Sequence, residues 1–209
     1  MENMKNEEPF SPSTVERTRL RVDIPPIVVQ SEHPPDDLPD TLWLDYDDGE
    51  DAEKGIMGAG PDSYVISPIS KQNLFSNKYI NCTGALGIGQ DKISGEQVAF
   101  ISHQDPEFLL HKGTEASAKF LTDMKATLND LVTRSEENTV EVVLFGGNDD
   151  PMDPASKKTV DYKKSIEMLK RSVQDVLGYE PVIIDGPNHL AGAIDITVSV
   201  KERKIFIGR

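Results

Sequence analysis

This chain of 209 residues has one cysteine, Cys82. A lone cysteine forms no internal disulfide and builds no cysteine-based zinc site by itself. It fits a reducing compartment, so a cytoplasmic location is the expectation, with signal-less secretion the alternative. Basic residues are also scarce: 22 Lys and Arg stand against 36 Asp and Glu, a formal net charge of −14. Phosphate backbones and anionic lipids need a basic face, so no nucleic acid and no membrane surface is expected as a partner. No apolar run approaches the roughly 20 residues of a membrane-spanning helix. The start, Met1-Glu2-Asn3-Met4-Lys5-Asn6-Glu7-Glu8, lacks the apolar stretch of a secretory signal. Hydrophobic residues make up only 37% of the chain, so part of it is expected to stay unpacked.

The unpacked part falls at the beginning. Residues 1–55 hold Pro9, Pro12, Pro25, Pro26, Pro34, Pro35 and Pro39, then the run Asp45-Tyr46-Asp47-Asp48-Gly49-Glu50-Asp51. Such a segment buries too little apolar surface to offset its ordering entropy, and it reads as a disordered acidic arm. Its charge makes it a candidate for binding a basic partner. Two apolar pieces within it, Ile27-Val28-Val29 and Leu42-Trp43-Leu44, are candidates to dock on the domain or on a partner. Residues 56–209 read as a single domain whose folded part starts near Gly58.

In that domain Ser63-Tyr64-Val65-Ile66-Ser67 reads as a strand stopped by Pro68. Tyr79 to Ile88 reads as a second strand, and Val98-Ala99-Phe100-Ile101 as its hairpin partner. From Thr114 the hydrophobic period changes from 2 to 3.6, and Phe120, Met124, Leu128 and Leu131 line one face of a helix to about Val132. Val140 to Phe145 is a strand ending at Gly146-Gly147. Ile166, Leu169, Val173, Val176 and Leu177 mark a second helix, stopped by Gly178. Val182 to Ile184, Ile194 to Val200 and Lys204 to Ile207 close the chain as strands. The order predicts an α/β (α+β) fold: a mixed sheet or sandwich, two main helices on one face and strands closing the other.

Cys82 and His103 stand out in this layout. If their strands pair as a hairpin, both residues lie at the same end of neighbouring strands, the arrangement of a thiolate nucleophile and an imidazole base. The alternative is a small buried hydrophobe, since free cysteine is among the most buried residue types. Ser76, six residues earlier, is placed near the start of the same strand or in the loop before it, where it would hold the imidazole tautomer. The Asn81 or Thr83 backbone amides are candidate oxyanion donors. Gly146 and Gly147 would let the backbone approach a substrate. Gly84-Ala85-Leu86-Gly87-Ile88-Gly89 has the wrong glycine order for a dinucleotide turn. His103, Asp105 and His111 match no standard metal spacing, so no metal and no other cofactor is expected.

Taken together, the cysteine strand, histidine-ended hairpin partner, helix, Gly-Gly-ended strand, second helix and closing strands resemble the cysteine amidohydrolases. That group includes the CheD glutamine deamidases, protein N-terminal asparagine amidohydrolase and the cytotoxic necrotizing factor catalytic domains. Phe100-Ile101-Ser102-His103-Gln104-Asp105 and Val143-Leu144-Phe145-Gly146-Gly147-Asn148-Asp149-Asp150 resemble segments of the asparagine amidohydrolase. Ser76 matches the offset of a hydroxyl residue in CheD proteins. Ile80-Asn81 stands where CheD proteins carry Gly-Ser, and Asp185-Gly186-Pro187-Asn188 replaces their late double glycine. The resemblance implies cysteine-dependent hydrolysis of a glutamine or asparagine carboxamide on a protein or peptide substrate, with Cys82, His103 and Ser76 as the catalytic set. A transglutaminase-like amine transfer and a non-catalytic binding module on the same fold are the alternatives.

Overall fold

The computed structural model describes residues 26–30, 38–45, 55–57, 64–79, 82–106, 110, 114–146, 152–184 and 194–208. In chain order the strands are β1 (Val28–Gln30), β2 (Thr41–Asp45), β3 (Gly55–Met57), β4 (Tyr64–Ile66), β5 (Asn73–Tyr79), β6 (Thr83–Gln90), β7 (Gln97–Gln104), β8 (Glu141–Gly146), β9 (Val182–Ile183), β10 (Ile194–Ser199) and β11 (Lys204–Gly208). Helix α1 (Thr114–Arg134) lies between β7 and β8, and α2 (Lys157–Leu177) between β8 and β9. The strands form a six-stranded sheet, β1-β11-β10-β5-β2-β3, and a five-stranded one, β4-β7-β6-β8-β9. Both are mixed, as expected.

The smaller sheet is the middle of three layers. Its strands read as continuous apolar runs because both faces are buried. In β8, Val143 and Phe145 join Leu74, Leu86, Ile101, Ile196 and Val198 between the two sheets. Val142 and Leu144 join Phe120, Met124, Leu128, Leu169 and Val173 against the helices. The four residues expected to line α1 (Phe120, Met124, Leu128 and Leu131) are all buried. Helix α2 starts where Ser156 Oγ accepts from the Thr159 N–H at 3.2 Å and ends at Gly178, whose φ of 73° is the left-handed cap.

In the larger sheet the two apolar pieces of residues 1–55 take the first of their two expected places, while the start of the folded part departs from expectation. Ile27-Val28-Val29 and Leu42-Trp43-Leu44 dock on the domain: β1 runs parallel to β11, and β2 parallel to β5. Ile27 and Leu44 are buried. The folded body therefore takes in stretches well before Gly58. The other residues of 1–55, apart from 26, 30, 38–41, 45 and 55, lie outside the described residues.

The far end of the sandwich, where β6 stops and β8 starts, is held by ion pairs. Arg203 Nη2 donates to Glu141 Oε2 at 3.1 Å with both side chains buried. The Ile27 N–H donates to the same oxygen at 3.1 Å, and Arg203 Nη1 donates to Gln97 Oε1 at 2.8 Å. Nearby, Asp91 Oδ1 accepts from the Ile93 and Ser94 amides at 3.0 and 2.9 Å, and Oδ2 accepts from Arg134 Nη2 at 3.3 Å. The backbone donors at Ser94 and Ile93 are the main reason its carboxyl is held at about 2, below the usual 3.8.

Candidate active site

At the opposite end the chain crosses from one sheet to the other. Tyr79 ends β5 in the larger sheet and Thr83 opens β6 in the smaller one. Cys82 sits in this crossing, partly exposed, rather than inside a single strand from Tyr79 to Ile88. In sequence the run reads as a strand with one turn-favouring residue, Asn81, before Gly84, too weak a signal to mark the change of sheet.

Strand register orients the pair. Thr83 lies opposite Gln104 of β7 and Gly146 of β8. Residues directly opposite share a face, and successive residues alternate. Thr83 and Gln104 face the helices: Gln104 Nε2 donates to Thr83 Oγ1 at 3.1 Å, and Thr83 Oγ1 lies 3.1 Å from Ser165 Oγ. Their neighbours Cys82 and His103 alternate onto the other face, toward the larger sheet. Thr83 is directly opposite Gln104, so Cys82 and His103, the residues just before each, lie at the same end of the β6–β7 pair, and Cys82 packs against the cluster between the sheets.

His103 is fully buried, and so is Ser76. Ser76 Oγ lies 3.2 Å from His103 Nδ1. The expected partnership is present, but Ser76 reaches it differently. It occupies the middle of β5 in the facing sheet, not the start of the cysteine strand, and the contact spans the interior between the sheets. When the serine oxygen accepts from Nδ1–H, the proton sits on Nδ1 and Nε2 keeps the lone pair that a base needs.

A second β5 residue, Tyr79, is part of the site and was not legible as such. Its ring stacks on His103 with centroids 3.9 Å apart and planes 14° from parallel. Its hydroxyl donates to the Ser102 carbonyl at 3.0 Å. Strict alternation would put residues 76 and 79 on opposite faces. A register shift in the β5–β10 ladder resolves this: Ile196 pairs with Ser76 and Ile194 with Tyr79. Two residues on β10 span three on β5, so the bulge turns Tyr79 inward beside Ser76. Burial pushes the Tyr79 phenol well above its usual 10.0, the nearby Ser76 hydroxyl draws it back somewhat, and the Cys82 sulfur raises it again. The phenol therefore stays neutral, and it lies within electrostatic reach of the cysteine.

Glycines make room for this stack. A Cβ on Gly84 would come within 2.5 Å of both the Phe145 ring and the Ser102 carbonyl. Phe145 in turn meets Tyr79 edge-on, with centroids 5.3 Å apart. Gly146 has φ +85°, and a Cβ there would lie 2.5 Å from the Cys82 carbonyl oxygen and 3.2 Å from the Tyr79 ring. It supports the cysteine segment from behind, a packing role beside the expected one of close approach to substrate. Thr83 contributes its side chain to the opposite face, so the expected role beside Cys82 would fall to its backbone amide alone. Asn81, Gly147 and His111 lie outside the described residues. Among the described residues no group of three His, Cys, Asp or Glu side chains is placed to hold a metal ion, and no helix is long and apolar enough to cross a membrane.

The site thus gathers, at one end of the sandwich, a partly exposed thiol at a sheet crossing and a buried imidazole held by a serine on one edge and a tyrosine on one face. No protein-family model matches the chain, and no curated protein matches it.

Proposed function

We propose that this protein is a cysteine-dependent deamidase acting on a glutamine or asparagine side chain of a protein or peptide. The observation that carries the reading is the 3.2 Å contact from Ser76 Oγ to His103 Nδ1, made on the sheet face that Cys82 shares. A serine fixing Nδ1 directs the Nε2 lone pair of a neutral imidazole to proton transfer. Partial exposure of Cys82 is the state a nucleophile needs to meet a substrate.

In this mechanism His103 takes the thiol proton and the Cys82 sulfur attacks the carboxamide carbon. The tetrahedral intermediate collapses as His103 returns the proton to nitrogen, and ammonia leaves. The acyl group remains on sulfur as a thioester. Water, deprotonated by His103, attacks that thioester, and the substrate departs as a carboxylic acid with the thiol restored. The balance is amide plus water to acid plus ammonia, which requires no redox partner or organic cofactor. The Thr83 and Asn81 amides are the proposed donors to the oxyanion.

The test uses glutamine- and asparagine-containing peptides and candidate protein targets. Deamidation releases ammonia and raises the substrate mass by about 1 dalton, as thioester hydrolysis requires. Cys82→Ala and His103→Ala should abolish this while remaining folded. A Cys82→Ala protein that keeps full activity would sink the proposal.

A further inference from the structure

We infer that Tyr79 is a positioning residue for the His103 imidazole, a second β5 clamp acting with Ser76 so that the ring meets the Cys82 sulfur; the inference rests on the cysteine–histidine reading above. The contact between Ser76 Oγ and Nδ1 fixes one edge of the imidazole, and a contact at one edge by itself gives a ring freedom to tilt. A parallel aromatic face at 3.9 Å removes that freedom. The tyrosine ring is itself fixed, because its hydroxyl is bonded to the carbonyl of Ser102, the residue just before His103. Its opposite flank is bounded by Phe145.

Both clamps come from one strand only because of the bulge between Ser76 and Tyr79. Without it the tyrosine would point out of the sandwich. Bulges recur beside active sites because they re-aim a side chain without ending the strand. The stack also has an electronic consequence. When His103 takes the thiol proton it becomes an imidazolium inside the protein, and the negative face of a neutral aromatic ring stabilises a cation above it. The phenol stays neutral because burial raises it, so the ring serves both protonation states of the histidine. Among the described residues the titratable groups at this end of the sandwich are Tyr79, from β5, Cys82, from the crossing, and Asp105, which follows the end of β7.

The test is a double-mutant cycle read by iodoacetamide alkylation of Cys82 across pH, with folding of every variant checked by circular dichroism. Tyr79→Leu should slow alkylation at neutral pH about tenfold, the scale expected when a thiol loses its activating base. The midpoint of the pH profile should move toward that of His103→Ala. In the His103→Ala background, adding Tyr79→Leu should slow the reaction no further, because coupled residues are not additive. Tyr79→Phe, which keeps the aromatic face, should restore the rate to within about threefold of wild type. If the leucine variant fails to fold, Tyr79→Met, which fills the space without a π face, carries the same expectation.

An unchanged profile in Tyr79→Leu or Tyr79→Met overturns the inference while leaving the cysteine–histidine pair standing. So do effects that multiply in the double variant. If His103→Ala itself leaves Cys82 reactivity unchanged, the pair fails and this inference falls with it.

Discussion

The two ends of the sandwich bury polar groups for opposite ends. At the far end every prominent group is charged and paired: Arg203 with Glu141 and Gln97, Asp91 with Arg134 and two amides. Those contacts join β7, β8, the β10–β11 turn and the chain before β1. At the near end the buried groups, Ser76, His103 and Tyr79, are neutral or able to be, and they gather behind a partly exposed thiol. A paired buried charge holds strands together but has no proton to move. In the proposed function an imidazole held from two sides at the same end as a thiol does. The difference teaches where to look for chemistry in this fold: not at the strongest electrostatics, but where a titratable ring is fixed near a partly exposed thiol.

That contrast predicts that far-end changes cost stability and near-end changes cost reactivity. Removing residues 1–45 should have the largest effect. It takes away β1, β2, Ile27 and Leu44, and truncating such buried aliphatic side chains alone costs about 2–5 kcal/mol each, comparable to the whole stability of an ordinary domain. Urea unfolding of the truncated chain reads this directly; an unchanged midpoint would mean that these strands add nothing. Next comes Glu141→Ala, which strips the partner from a buried arginine and should cost about 3–5 kcal/mol. The folded fraction should still alkylate Cys82 at the wild-type rate. A matching loss of thiol reactivity would show that the two ends are not separate.

Ser76→Ala reverses the pattern. One lost hydrogen bond costs about 1 kcal/mol of stability, small in a melting curve. Deamidation should fall about tenfold or more, because His103 loses the group that sets its tautomer. Asp91→Asn should have the smallest effect. The carboxyl is held at about 2 against an ordinary 3.8. Its stabilisation is therefore complete above about 3.8 and is lost as pH falls toward 2. The asparagine variant lacks this contribution, so its melting temperature should lie below that of wild type at neutral pH, and the gap should close as pH falls toward 2.

Much of the architecture was legible because it rests on local pattern. The 3.6-residue spacing of Phe120, Met124, Leu128 and Leu131 marked α1, Gly178 marked the end of α2, and the strand pairs β6–β7 and β10–β11 were readable as hairpins. Ser76 was legible as a partner of His103, though not the strand that presents it. What stayed hidden depends on tertiary context. The β5–β6 change of sheet falls in a run whose one turn-favouring residue, Asn81, is too weak a signal to mark it, and the bulge that aims Tyr79 is visible only in its pairing with β10. An isolated aromatic carries no signal of the ring it will stack on. The early strands were readable only as apolar pieces that dock on the domain or on a partner, because β1 and β2 are short, follow prolines at 26 and 39, and pair in parallel with β11 and β5, partners 176 and 32 residues downstream by the registers Val28 to Lys204 and Thr41 to Asn73. Composition of the surrounding segment outweighed two or three apolar residues.

The central claim, that Cys82 is an activated thiol rather than a core side chain, is tested most directly by its alkylation rate in the native and urea-unfolded protein at neutral pH. The account predicts that native Cys82 reacts faster than the same cysteine in the unfolded chain, because the fold supplies a base beside it, and that His103→Ala removes this advantage. A native Cys82 that resists alkylation and reacts only after unfolding would contradict it.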